Sequence, residues 1–194
     1  MDAVCGSAGL AHGWRLELKP GLPAELVEEF VRPAVRAVPG ALAGRLKSCH
    51  IRLVGCLEDP EETSRWVEGP EGLEVTVACE GVEAHDVALE VLVCLGQALW
   101  DTLDGRERTS YLRVLDDEIA ACVSGEIDEG ALEAKRRLLA GRAAARSRRR
   151  LAEYARASFA STAAEYVHCL WHDVTVRSGP EHLPPRCLRR RLEL

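Results

Sequence analysis

Apolar side chains alternate with polar ones in the first part of the chain and recur every three or four positions in the rest. In "GWRLELKP" Trp14, Leu16 and Leu18 alternate with charged residues, the pattern of a short half-buried strand. "PAELVEEFVRPAVRAVP" sets Leu26, Phe30, Val31, Val35 and Val38 at helical spacing. Pro33 inside it predicts a kink or a split, because proline has no N–H to give the helix. "CHIRLVGCL" alternates again, with Ile51 and Leu53 on one face, and "LEVTVAC" places Leu73, Val75 and Val77 together. The stretch between them, "EDPEETSRWVEGPEG", reads as a turn-rich connection.

From His85 onward the period is helical. "HDVALEVLVCLGQALWDTL" predicts one long apolar helix, and "RTSYLRVLDDEIAACVSG" a second that stops at Gly125. The stretch 128–176 holds one or two more, with a break near Gly141, and "LRRRLEL" begins a further short helix. Strands mainly within 14–79 followed by helices mainly within 85–176 make an α+β order. No repeat, linker or composition shift divides the chain, so 1–194 reads as a single domain.

Composition narrows the picture. The chain is 47% hydrophobic and 29% charged, as expected of a globular protein, and its net charge of −6 argues against nucleic acid as the main partner. The opening "MDAVCGSAGLAHGW" has an acidic second residue and no continuous apolar core, so it does not read as a secretory signal. No apolar run approaches the length of a membrane span. The eight cysteines are scattered without a C-x-x-C pair, which points to reduced thiols in a cytoplasm. Cys49, Cys79 and Cys122 then read as small core residues.

Two segments carry chemistry. "LEVLVCLGQALWDTL" resembles the active helix of zinc metallopeptidases, whose centre commonly reads H-E-L-G-H-A-L, with Leu95, Gly96, Ala98 and Leu99 in matching places. Val93 stands in place of the first histidine, Cys94 in place of the catalytic glutamate and Gln97 in place of the second histidine. "FASTAAEYVHCLWHDV" is similar to the later helix from which gluzincins take their third zinc ligand, and Glu165 fits that position. The resemblance is to a zincin-like domain of the gluzincin type with a degenerate motif. It implies an α+β fold in which a small mixed sheet, including a strand with an exposed edge, precedes the active-helix and glutamate-helix equivalents. It also implies a vestigial site of Val93, Cys94, Gln97 and Glu165, with no catalytic residue and no resident cofactor.

The chemistry agrees with that implication. A catalytic zinc needs three protein ligands and an open position for water, whose pKa it lowers toward 7. Val93 has no donor atom, Gln97 offers only a neutral amide oxygen, and no carboxylate stands at position 94 to take the proton. The role left is binding a protein or peptide, in the old cleft or on the helical surface.

Alternatives remain open. Glu165, His168 and His172 fall on one helical stripe within roughly 60° and form a donor set suited to zinc. One helix cannot surround an ion, so Asp173, His182 or a residue from elsewhere must complete the site. The opposing reading makes the stripe the polar side of a helix whose core side is Val167, Leu170 and Trp171. A metal-dependent hydrolase on these residues, or a thiol hydrolase using Cys94 with Cys169 nearby, is the enzymatic alternative. An unrelated helical interaction module is the third. Finally, "RAAARSRRRLAEYAR" aligns Arg142, Arg146, Arg149 and Arg156 on one face, to pair with the acidic "LDDE" and "EIDEG" or to face water.

Overall fold

The computed structural model describes residues 6–140, 147–173 and 179–194. Five strands, β1 (Gly6–Gly9), β2 (Arg15–Leu18), β3 (Cys49–Val54), β4 (Ser64–Gly69) and β5 (Gly72–Ala78), form one mixed sheet in the order β1-β2-β3-β5-β4. β2, β3 and β5 run parallel, while β1 and β4 pair antiparallel at the two edges. The register puts Leu16, Ile51 and Val75 in one row and Leu53 and Val77 in the next, all buried. Alternation thus becomes one apolar face.

β4 corrects the sequence reading, which took its residues for a connection. Among the described residues it pairs on one side only, and Arg65, Val67 and Glu68 are exposed. Only Trp66 packs partly against the core, so a strand with one inward anchor carries no readable alternation.

Between β2 and β3 the chain forms a π-helical turn, Leu26–Val31, that runs into α1 (Arg32–Ala37), followed by α2 (Gly40–Leu46). The break expected at Pro33 takes this form. The Arg32 N–H reaches back five residues to the Val27 carbonyl, widening the turn just before the proline that cannot donate.

The helical region comprises α3 (Ala84–Thr102), α4 (Gly105–Ala120), α5 (Glu129–Leu139), α6 (Arg148–Trp171) and α7 (Pro185–Leu192). α5 and α6 flank the break placed near Gly141, and residue 141 itself lies outside the described residues. Asp104 and Glu107 start α4 with reciprocal side-chain-to-backbone bonds that satisfy its free N–H groups. Cys49 and Cys79 are buried as expected. Cys122 is not, because α4 ends at Ala120 and Cys122 turns the chain at φ 57 with its side chain exposed.

α3 is the central element. Val87, Ala88, Val91, Leu92 and Leu95 are buried in the core that includes the sheet's apolar face, and α6 runs antiparallel alongside. Gly96 sets the approach of the two helices: a Cβ there would stand 2.7 Å from the Ala160 carbonyl oxygen. A second apolar cluster joins Trp100, Tyr111, Leu115, Ile119, Leu138 and Tyr154 from α3 to α6. Among the described residues, no helix is long and apolar enough to cross a membrane.

Beside that second cluster lies a buried ionic network. The Arg191 guanidinium of α7 donates to Glu118 Oε2 (2.5 Å), Glu126 Oε2 (2.8 Å) and Ser158 Oγ (2.7 Å). Lys135 Nζ donates to Glu126 Oε1 (2.9 Å) and to the Gly125 carbonyl, and the Tyr154 hydroxyl donates to the same carboxylate oxygen. The acidic segments therefore take their partners from α5 and α7. In the arginine stripe, Arg149 pairs with Glu153 and Arg156 with Asp101, while Arg142 and Arg146 lie outside the described residues.

Candidate functional site

The α3 positions singled out by the resemblance sit where the helix passes β4. Val93 is half-buried against the core. Cys94 is 1% exposed, and burial pushes its thiol up to about 12, with the Ser64 hydroxyl opposing only in part. A thiol held protonated in the interior is not a nucleophile at neutral pH. Gln97 Oε1 accepts a 2.7 Å hydrogen bond from the Trp66 indole N–H, and the Ser64 hydroxyl donates to Glu90 Oε2 at 2.8 Å. The Arg156 guanidinium lies over the outer side of the Trp66 ring, 5.7 Å from its centre. Trp66 thereby fastens the edge strand to α3. A groove of about 410 Å³ stays open beyond it, bordered by Trp66, Glu68, Leu73, Ala98, Asp101 and Thr102.

Glu165 lies further along the helix pair than Gln97. Ala160 lies against Gly96, and Glu165 is roughly 7.5 Å further along α6, toward the N-terminus of α3. Its Oε2 lies 3.5 Å from His168 Nδ1. Gln97 and Glu165 thus hold different partners, one on the edge strand and one within α6.

Around Glu165 the structure assembles what the sequence showed only in part. His168 Nε2 lies 2.9 Å from Nε2 of His85, which belongs to the first turn of α3. His172, the residue that ends α6, stacks against His168 and tilts against His85. One ring nitrogen from each of the three lies within 4.8 Å of the others. The third imidazole is therefore His85; the backbone at His182 instead pairs with that at Glu126. The polar-side reading of the stripe holds for Val167 and Trp171, which pack on the core, and for exposed His172, but not for His168, which is 7% exposed, or Leu170, which is 53% exposed. Burial holds His168 below the ordinary imidazole pKa; Glu165 opposes this, while His85 and His172 add to it. Trp171 is in ring contact with all three imidazoles, and its indole N–H is buried without an acceptor among the described residues.

No protein-family model, curated protein or solved structure matches the chain. The site's own geometry carries its interpretation.

Proposed function

We propose that this is a non-catalytic, zincin-like domain that binds an extended segment of a partner protein along β4 and into the groove at its end. The order of elements supports the architecture: a sheet with an exposed antiparallel edge strand, then the apolar helix α3 beside that strand, then α6 against α3. The free edge of β4 carries the functional reading. Ala78 N–H bonds the Thr63 carbonyl, and hydrogen-bonded pairs alternate along an antiparallel ladder. The pairs at 65 and 67 therefore bond to β5, while the backbone groups of Ser64, Trp66 and Glu68 point outward. An extended peptide adds to such an edge through main-chain hydrogen bonds and gains specificity from neighbouring pockets.

Chemistry on the helix supports the non-catalytic part. Val93 and Gln97 offer no imidazole, and buried Cys94 offers neither a carboxylate base nor a thiolate. The seven cysteines among the described residues are free thiols, which suits a reducing cytoplasm.

Selection of binding sequences from a displayed peptide library, followed by titration of the winners, tests this reading. Glu68→Pro removes an outward N–H while sparing the bonds to β5, and is expected to weaken binding at least about tenfold, the loss of one to two hydrogen bonds. Binding indifferent to Glu68→Pro, or cleavage of the selected peptides, would overturn it.

A further inference from the structure

We infer that His85, His168 and His172 form a binding site for a divalent transition metal, with zinc the ion of first choice. The site is separate from the positions on α3 named by the family resemblance and does not depend on the peptide-binding reading.

Each ring's outer nitrogen faces an oxygen. His168 Nδ1 faces the Glu165 carboxylate at 3.5 Å, His85 Nδ1 faces Asp86 Oδ1 at 3.4 Å, and His172 Nδ1 faces the Asp173 backbone carbonyl at 3.0 Å. Each of these partners is an oxygen that only accepts. Each therefore favours the tautomer with its proton on Nδ1, leaving a lone pair on Nε2. Two such lone pairs, those of His85 and His168, are held 2.9 Å apart. Lone pairs at that distance repel unless a cation stands between them or one ring gives up its Nδ1 proton contact and donates from Nε2 instead. A proton can serve that purpose for two rings. A metal ion serves all three.

The remaining geometry fits a metal. Ligands about 2.0–2.1 Å from a tetrahedral zinc are roughly 3.4 Å from one another. That spacing falls between the 2.9 Å of the closest pair and the 4.8 Å limit of the set, so small ring rotations suffice. A carboxylate or carbonyl on the far nitrogen of a metal-bound imidazole fixes its tautomer and raises its basicity. All three histidines have such a partner. Neutral imidazoles suit zinc, copper and nickel better than calcium or magnesium, which take oxygen ligands. The exposed edge at His172 leaves room for a fourth ligand, and a water there would give the Trp171 N–H the acceptor it lacks.

The ion would join the first turn of α3 to the last turn of α6, closing the helix pair at the end opposite the groove. The test uses the untagged full chain, stripped with a chelator and titrated with zinc alone, and with cobalt as a spectroscopic probe. Expected are one ion per chain, a tetrahedral cobalt spectrum, and a melting temperature raised by about 5–10 °C at a hundredfold excess of zinc over Kd. His85→Ala and His172→Ala replace accessible residues and should leave the fold intact. Each should weaken zinc binding more than about 100-fold, and Glu165→Gln about 10–100-fold, the usual loss for an outer partner of a ligand. Absence of stoichiometric binding would overturn the proposal. So would binding that survives both histidine substitutions, because the ion would then sit elsewhere. Peptide binding at β4 that persists in the metal-free chain would leave the two proposals independent.

Discussion

The chain buries polar groups densely in two places, and the two are built on opposite terms. Around Arg191, two carboxylates meet two cations, and every charged group has partners within hydrogen-bonding distance. The side chains of Arg191, Glu126 and Lys135 are at most 1% exposed, so nothing from outside can enter. Around His168, the outer nitrogens face oxygen acceptors while the inner ones converge on each other, and the His85 and His172 rings reach the surface. A closed network holds elements together, whereas ring nitrogens converging beside solvent can receive a cation. The same contrast separates Cys94, sealed in the core, from the open groove past Trp66.

Removing one member from each region gives the widest separation. Arg191→Met leaves Glu118 without its cation and Glu126 with only Lys135, and is expected to cost about 3–5 kcal/mol in urea unfolding. His172→Ala in metal-free protein should stay within about 0.5 kcal/mol, as for other exposed positions. A mild Arg191 variant, or a severe His172 one, would erase the distinction drawn between the two sites.

Gly96→Ala should have an intermediate effect. Its Cβ would meet the backbone of Ala160, which cannot yield as a flexible side chain would, so α3 and α6 must separate. The expected loss is about 1–3 kcal/mol by thermal or urea unfolding. Because His85 and His168 sit on those same helices, zinc affinity should fall with it. Unchanged zinc affinity in a destabilised Gly96→Ala protein would mean that the histidines do not depend on this helix contact.

Acid provides a gentler test of the closed network. Burial alone would raise the Glu126 carboxyl, but the Arg191 hydrogen bond and charge, aided by Lys135 and Tyr154, hold it below the ordinary range. A depressed carboxyl contributes stability above its unfolded value, near 4.3, and loses it as pH falls through the folded value. Melting temperature should therefore fall below about pH 4 more steeply in the parent than in Arg191→Met, where the cause of the depression is gone. Equal slopes would show that Glu126 does not draw its stability from Arg191.

The apolar architecture could be read from the chain, because β2, β3, β5 and the long helices each repeat their own period over several residues. β1, β4 and α2 escape the sequence reading for local reasons, β1 because "GSAG" has no apolar alternation. Trp66 is a lone inward anchor on an edge, and "GALAGRL" mixes glycine with small residues at no clear period. The stripe of Glu165, His168 and His172 was visible, but His85 precedes His168 by 83 residues and only the antiparallel packing of α3 on α6 joins them. That packing depends on Gly96, which the sequence offered as part of a motif and the structure uses as a contact. The Arg191 network had no sequence signal at all, since Lys135, Glu118 and Arg191 look like ordinary solvent-facing charges until α7 folds back over α4 and α6.

In the proposed site three imidazoles present Nε2 to one point. Nitrogen-15 spectra of the histidine rings in untagged, metal-free protein, recorded above the imidazole pKa of about 6.5, read this directly. Expected are His85, His168 and His172 neutral with the proton on Nδ1, and a shift of their Nε2 resonances alone when equimolar zinc is added. His12, His50 and His182 should not respond. A proton shared between His85 and His168 Nε2, with no response of His172 or of either ring to zinc, would contradict it.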